Sequence, residues 1–353
     1  MAEVIKRLQP TPLREFCSAL FMRVGVSQED AWIIADSLVE ADLRGIDSHG
    51  VTRVGIYVER LEANLVNPQP QIKVIRETPT TLHLDGDNGP GAVVGVKAME
   101  ESIKRAKEYG TTWVGVKNSN HFGAAAYYAM RAIGDQCIGL SITNAPPTMA
   151  PWGGKTPFFG TNPFAIAIPA GKERPIVLDM ATSVTARGKI ILAAKKGEPI
   201  PSGLAIDPEG RPTTDAHAAL EGAVLPFGGH KGYGISLLVD ILSGLMTGAT
   251  FAPRVGGLYD NPNGIQNLGH GFAAILIESF IPFREFTKRM DQYIQEVRNA
   301  PRAMGVERIY LPGEIEFEMR DQNMKEGIPL PELTVKELKT LGTRLGAPWP
   351  FGL

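Results

Sequence analysis

The segment Asp47-Ser48-His49-Gly50-Val51-Thr52-Arg53, followed by Tyr57, sets a titratable imidazole, a permanent cation and a phenol close together. Gly45 reads as the stop of one helix and Ser48 as the N-cap of the next. On that second helix Arg53 follows His49 by four residues and Tyr57 follows Arg53 by four. That spacing predicts one shared face. Such a face suits a small carboxylate gripped by a two-pronged guanidinium beside a proton donor.

A second histidine falls in Asn118-Ser119-Asn120-His121-Phe122-Gly123. His121 closes a strand-like run. Behind it the amides of a small-residue helix start, Gly123 to Ala126, suit an anion. A lone histidine there more often makes a structural hydrogen bond, but beside His49 an acid/base role is the better reading. Asp179-Met180-Ala181-Thr182 ends an apolar strand on a carboxylate that needs partners. A ribose hydroxyl and backbone amides serve that need equally well. Gly228-Gly229-His230-Lys231-Gly232 opens a helix and reads as an anion site, because a plain turn has no use for Lys231. Gly160-Thr161-Asn162-Pro163 reads as a turn, and Tyr310-Leu311-Pro312-Gly313-Glu314 as the end of a short strand or a plain turn. Gly89 to Gly95 has the spacing GxGxxxG, not the dinucleotide fingerprint GxGxxG, and reads as a turn into a helix. No P-loop, HExxH or ordered nucleophile triad is present, and no histidine has metal-ligand spacing. A metal-dependent hydrolase and a non-catalytic nucleotide module are the remote readings. Two histidines, an arginine and glycine-rich helix starts favour hydride transfer between a nicotinamide and a 2-oxo acid.

The elements that must position these groups change character along the chain. Thr11-Pro12 and Ser27-Gln28-Glu29-Asp30 predict two helix starts, the second with apolar Trp32, Ile33, Leu38 and Val39. Val51, Val54 and Leu61 give the third helix its apolar face. After Pro68 and Pro70, strands are expected at 72–75, 81–84, 113–117, 137–142, 164–168, 176–179 and 272–277. Helices are expected at 92–109 and 124–133, with a well-buried one at 233–245. Beyond Pro282 helices return, at 283–299 and 335–341. The expected division is a helical substrate and dimer part, 1–75 completed by 283–353, around an α/β cofactor-binding region, 76–282.

With Lys+Arg 36 against Asp+Glu 38, no net field draws nucleic acid or an anionic membrane. No apolar run approaches a membrane span, and MAEVIKRLQP lacks the core of a signal peptide. Cys17 and Cys137 sit in apolar contexts and read as free buried thiols, which suits the cytoplasm.

The runs ADLRGIDSHGVTRVGIYVERL, NSNHFG, GTNPFAIAIP, VLDMATS, ARGKI, KKGEPIP, FGGHKGYGISLLVDILSG and YLPGE resemble the type-2 malate/L-lactate dehydrogenase family, in family order from about residue 10 to 315. The resemblance implies an α/β (α+β) fold that is not Rossmann-like, with a largely antiparallel sheet flanked by helices, in a homodimer. It implies NAD, or NADP, and a 2-oxo or 2-hydroxy acid resembling malate, lactate or sulfolactate. The alternatives within it are cyclic 2-imino acids, diketo sugar acids and ureidoglycolate. By motif, Ser48 and His49 match the proton-donor pair, and His121 matches a catalytic base. Arg53 and Thr161 match substrate contacts, with Tyr57 on the Arg53 face. Phe122, Gly123, Ala124, Ala125, Asp179, Met180, Ala181, His230, Lys231, Pro312, Gly313 and Glu314 match cofactor contacts. Lys189 stands where the cyclic imino-acid reductases carry an aspartate that completes a Ser-His-Asp relay. A lysine cannot accept a hydrogen bond from an imidazole, so the chain looks like the hydroxy-acid branch.

Overall fold

The computed structural model describes residues 5–259 and 264–352. Among them the helices are α1 (Pro10–Arg23), α2 (Gln28–Leu43), α3 (Val54–Glu62), α4 (Gly91–Tyr109), α5 (Ala126–Ala129), α6 (Arg187–Lys196), α7 (Ala216–Glu221), α8 (His230–Asp240), α9 (Phe283–Arg298), α10 (Glu314–Glu326) and α11 (Glu332–Leu345). The strands are β1 (Ile5–Leu8), β2 (Lys73–Glu77), β3 (Thr81–Gly89), β4 (Thr111–Ser119), β5 (Cys137–Thr143), β6 (Phe164–Ile168), β7 (Ile176–Met180), β8 (Ala205–Ile206), β9 (Pro212–Thr213), β10 (Ala223–Val224), β11 (Leu268–Leu276) and β12 (Ile328–Pro331).

Seven strands form the main sheet in the order β2-β3-β4-β11-β5-β6-β7. Only β3 and β4 run parallel; every other pair is antiparallel. This is the largely antiparallel, non-Rossmann sheet that the resemblance implies. The parallel pair needs a crossover, and α4 supplies it, packing back across β4 and β11. The sheet, α4 and α5 enclose one core around Val94, Met99, Val114, Tyr128 and Phe272. A second core joins α1, α2 and α3 to the far end of the chain, where Ile328, Leu330, Val335 and Leu338 pack against Leu13, Leu20 and Leu38. There β1 pairs antiparallel with β12. Helix α9 attaches elsewhere: its Asp291 carboxylate accepts the N–H groups of Gly171, Lys172 and Glu173 in the β6–β7 turn.

Local chemistry accounts for the boundaries. Ser27 Oγ accepts the Asp30 N–H at 3.2 Å and caps α2. Helix α1 starts at Pro10 rather than after a Thr11 cap, because proline's fixed φ and missing N–H suit the first helical position. Trp32, expected on the apolar face, is 44% exposed, with the Arg14 guanidinium over its ring. Residues expected to end a strand at Tyr310–Glu314 form none; Gly313, at φ 91°, turns the chain directly into α10. Helix α10 itself, EIEFEMRDQNMKE, is too polar to announce a buried face. The expected buried helix at 233–245 is α8 continued by a π-type turn, Ile241–Leu245. Its small residues face inward, while Leu238 and Met246 are 56% and 52% exposed.

The turn at Gly89-Pro90-Gly91 shows why a glycine opens α4. A Cβ on Gly91 would overlap the carbonyl oxygens of Asn120 and His121. The backbone of α4 therefore lies directly against the segment that carries His121. Gly91→Ala is expected to lower stability by about 3 kcal/mol, at the upper end for overpacking, measured as a fall in the urea midpoint at unchanged m-value.

Candidate active site

The loop between α2 and α3 is built around Asp42. This carboxylate is 1% exposed. Its Oδ2 accepts the Val51 N–H at 2.8 Å. It also fills the volume that a Cβ on Gly50 would occupy. The chain accordingly does not run helical from Ser48. Gly50 is extended at φ −88°, ψ −155°, and two short 3-10 turns, Asp47–His49 and Val51–Arg53, precede α3. Ser48 makes no cap. The expected helical face is thus replaced by a folded turn that still brings the same side chains together. Ser48 Oγ pairs with His49 Nδ1 at 2.8 Å. Arg53 Nε donates to Ser48 O at 2.7 Å. Tyr57 OH pairs with His121 Nδ1 at 2.6 Å. The His49 and His121 rings stack at 5.6 Å, 19° from parallel.

The electrostatics of this group centre on one fixed cation. Burial, then the Arg53 charge, pulls His49 down to about 4. Burial, then His49 and Arg53, holds His121 well below the ordinary imidazole range. Burial raises the Tyr57 phenol. At neutral pH both imidazoles are therefore uncharged and the phenol keeps its proton. Two stacked imidazoles beside a guanidinium resist a second positive charge. An anion docked on Arg53 reverses that balance and raises both imidazoles. Behind Tyr57 and His121 lies a mostly apolar pocket lined by Phe21, Ile34, Leu61, Val66 and Leu258, with Arg60, Asn120 and Gln266 at its edge.

The remaining candidate residues are joined by backbone and side-chain hydrogen bonds rather than by one pocket. Asp179, at the end of β7, accepts the Ala126 N–H at 2.9 Å and so ties β7 to the segment after His121. Burial pushes its carboxyl up to about 6, against the pull of that N–H and of Arg44. Met180 and Ala181 follow, half-buried. Thr161 O accepts both the N–H and the Oγ1 hydroxyl of Thr182. Thr182 O in turn accepts from Phe227, which leads into Gly229, His230 and Lys231 at the start of α8. His230 and Lys231 are exposed there, with Trp152 edge-on to His230 at 6.2 Å. On the other side of β7, Pro312 O accepts the Val177 N–H. The Glu314 carboxylate is occupied, accepting from Leu311 N and from Arg298 Nη2. Phe122 turns its ring into the core, stacked on His270 and Tyr128, so it offers a ligand only its backbone. Gly123, at φ 80°, has open space where a Cβ would stand, and Ala124 and Ala125 continue from it. Lys189 lies exposed on α6. Among the described residues no carboxylate is hydrogen-bonded to Ser48 or His49.

Several residues of this neighbourhood escape a sequence reading. His270 is fully buried, its Nδ1 paired with Thr143 Oγ1 and its Nε2 with Ser119 Oγ, each at 2.8 Å. A bulge between Leu268 and His270 turns it toward both neighbouring strands. Gln266 Oε1 accepts the His121 N–H at 3.0 Å. Tyr259 OH accepts from Arg53 Nη1, and the guanidinium lies 5.3 Å from its ring centre. Only a polar residue in an apolar strand, His270, carried a local signal.

A family model described as malate/L-lactate dehydrogenase matches residues 8–339. Malate dehydrogenase from Pyrococcus abyssi is 42% identical over 348 residues, covering 96% of this chain and 95% of that protein. L-sulfolactate dehydrogenase from Methanocaldococcus jannaschii is 43% identical over 339 residues, covering 96% and 97%. The crystal structure of malate dehydrogenase from Entamoeba histolytica superposes with TM-score 0.94 at 36% identity, covering 99% of this chain and 100% of that one.

In the absence of substrate, His49 is expected to titrate near 4, read from its imidazole carbon shifts by NMR and assigned with His49→Gln. Arg53→Met removes the lesser of its two causes, so the midpoint should rise while staying below the ordinary value of about 6.5. A midpoint at or above 6.5 in the unsubstituted protein would contradict the burial described here.

Proposed function

The chain belongs to the malate/L-lactate dehydrogenase family, and from that premise we propose how its residues divide the work. It is a dehydrogenase that interconverts a 2-hydroxy acid and its 2-oxo acid with a nicotinamide cofactor. We propose a small acid of the malate, lactate or sulfolactate type. The observation that carries the site reading is the convergence of Arg53 with two neutral imidazoles, stacked at 5.6 Å.

Arg53 binds the substrate carboxylate, and its bond to Ser48 O fixes the guanidinium plane. His121 is the acid/base for the C2 oxygen. Tyr57 partners its Nδ1, and a phenol can donate to either a bare Nδ1 or accept from a protonated one. For Nε2 to receive the hydroxyl proton in oxidation, the neutral ring carries its own proton on Nδ1 and donates it to the Tyr57 oxygen; Nε2 then returns the proton in reduction. His49, held by Ser48, orients the substrate, and Thr161, bonded to Thr182 rather than to this cluster, is a substrate contact by motif alone. When bound, the nicotinamide accepts or supplies the hydride at C2. The residues present fit such a cofactor. The Gly229-His230-Lys231 start of α8 offers amides and a cation to phosphates, and Asp179 offers an acceptor to a ribose hydroxyl. Gly123 leaves room for close approach, and Met180, Ala181 and the Pro312-Gly313-Glu314 turn flank β7. We take NAD as the cofactor, since a carboxylate at Asp179 facing the ribose would repel the extra phosphate of NADP. Imine reduction is disfavoured, because the Ser48–His49 pair has no carboxylate partner among the described residues.

We further propose a homodimer in the cytoplasm, with residues 1–75 and 283–353 as its substrate and dimer part and 76–282 as its cofactor part. Among the described residues no helix is long and apolar enough to cross a membrane. Support for the dimer comes from Leu238, Ile241, Leu245 and Met246, an exposed apolar stripe at helical spacing along α8 and its π-type turn, which puts an interface on the cofactor part as well.

Absorbance at 340 nm with NADH or NADPH and a panel of 2-oxo acids tests the activity and names the substrate. His121→Gln should lower kcat about 10²–10⁴-fold with NADH affinity intact, and His49→Gln should cost less. The reverse order would make His49 the proton donor, and near-full activity in both would remove this acid/base reading. Leu238→Arg with Met246→Glu should convert a dimer of the 38.1 kDa chain to monomer by light scattering. An active unsubstituted monomer at micromolar concentration would refute the dimer.

A further inference from the structure

We infer that Tyr259 is a substrate-contacting residue, whose phenol donates a hydrogen bond to the same carboxylate that Arg53 binds. The inference rests on the assignment of Arg53 and extends it to a residue from a distant part of the chain.

The geometry starts from the guanidinium. Arg53 Nε is taken by Ser48 O. A carboxylate must therefore approach the Nη1–Nη2 edge. Tyr259 OH stands at that edge, accepting from Nη1. A phenol oxygen that accepts one hydrogen bond still has its own proton to give. Among the described residues that proton has no acceptor. An anion placed against the Nη1–Nη2 edge is the acceptor within its reach. The Tyr259 ring also covers the guanidinium, which lies 5.3 Å from the ring centre. The phenol is near enough to Tyr57 to act on it electrostatically, so it belongs to the side where Tyr57 meets His121. The residue as a whole is 54% exposed, which places it at the mouth of the site rather than in the core.

The position is built, not incidental. Arg60, on α3, donates to Leu258 O at 3.4 Å and to Gly264 O at 2.8 Å. Gln266, 1% exposed, donates to Gly256 O at 3.1 Å and accepts the His121 N–H. The residues flanking Tyr259 are thus tied both to the helix that follows Arg53 and to the histidine segment. Any substrate that has a carboxylate next to C2 would meet the phenol, whatever its side group.

Tyr259→Phe keeps the ring over Arg53 and removes only the hydroxyl. The probe is oxamate, an unreactive 2-oxo-acid analogue, titrated into the enzyme with NADH and followed by NADH fluorescence. We expect oxamate to bind about tenfold more weakly, the scale of a hydrogen bond to a charged group. NADH affinity should be unchanged. KM should rise by a similar factor for every active 2-oxo acid, with kcat within about threefold. Unchanged oxamate binding would overturn the inference. Tighter binding would overturn it too, since the phenol would then be occupying the carboxylate's place. A rise in KM confined to dicarboxylic substrates would also overturn it, by moving the contact to the far end of the substrate. Arg53→Lys is the control. If it loses oxamate binding while Tyr259→Phe does not, the Tyr259 inference fails and the Arg53 assignment stands. If both bind oxamate as the unsubstituted enzyme does, the Arg53 assignment fails with it.

Discussion

The carboxylate of Asp42, buried behind the loop that joins α2 to α3, holds the proposed substrate end of the site in shape. It accepts the Val51 N–H and occupies the space beside Gly50. A side chain at position 50 would push that carboxylate out and unfold both short turns. Burial lifts the Asp42 carboxyl well above its usual range, with the Val51 N–H working the other way. Its Oδ1 has no hydrogen-bond partner, and a neutral acid leaves a smaller desolvation cost there than an anion would. From this one fixture follow the direction of His49, the bond from Arg53 to Ser48 O, and the start of α3 that carries Tyr57.

Charge then sets the resting state of the chemistry. Arg53 is permanently cationic, and burial keeps His49 and His121 uncharged and the Tyr57 phenol protonated beside it. The site therefore presents one positive charge and no mobile one until an anion arrives. In the proposed reading, a 2-hydroxy acid brings that anion to Arg53 and meets a neutral imidazole. A 2-oxo acid brings the same anion and, by offsetting Arg53, makes imidazole protonation easier. One arrangement thus serves both directions of the reaction, because the substrate itself changes the field that the histidines feel.

The rest of the molecule supplies rigidity around this point. Gly91 lets the α4 backbone lie against Asn120 and His121. His270 bridges Ser119 and Thr143 while stacking on Phe122. Asp179, Thr182 and Thr161 link β7 to the histidine segment on one side and to the start of α8 on the other. Each link joins residues apart in sequence, so the proposed substrate and cofactor ends are both tied to the same sheet.

The residue types themselves marked the candidate site. Arg53 beside His49 pointed to a carboxylate and a proton, and the run of motifs identified the family and with it the antiparallel sheet. Apolar runs marked the central strands because a strand buried on both faces needs little else, and Ser27 marked α2 because a cap is a local interaction. Spacing misled at Ser48, where helical periodicity assumed a continuous helix that the buried Asp42 carboxylate, nine residues before Val51, forbids. It was also silent on α10, whose charged residues are held by ion pairs rather than by an apolar face. Only the tertiary structure decided that Tyr57 reaches His121, that His270 lies under Phe122 and that Tyr259 stands over Arg53. Those contacts join residues up to 206 positions apart. No local pattern encodes them, because each depends on where the sheet and two loops place backbones that are remote along the chain.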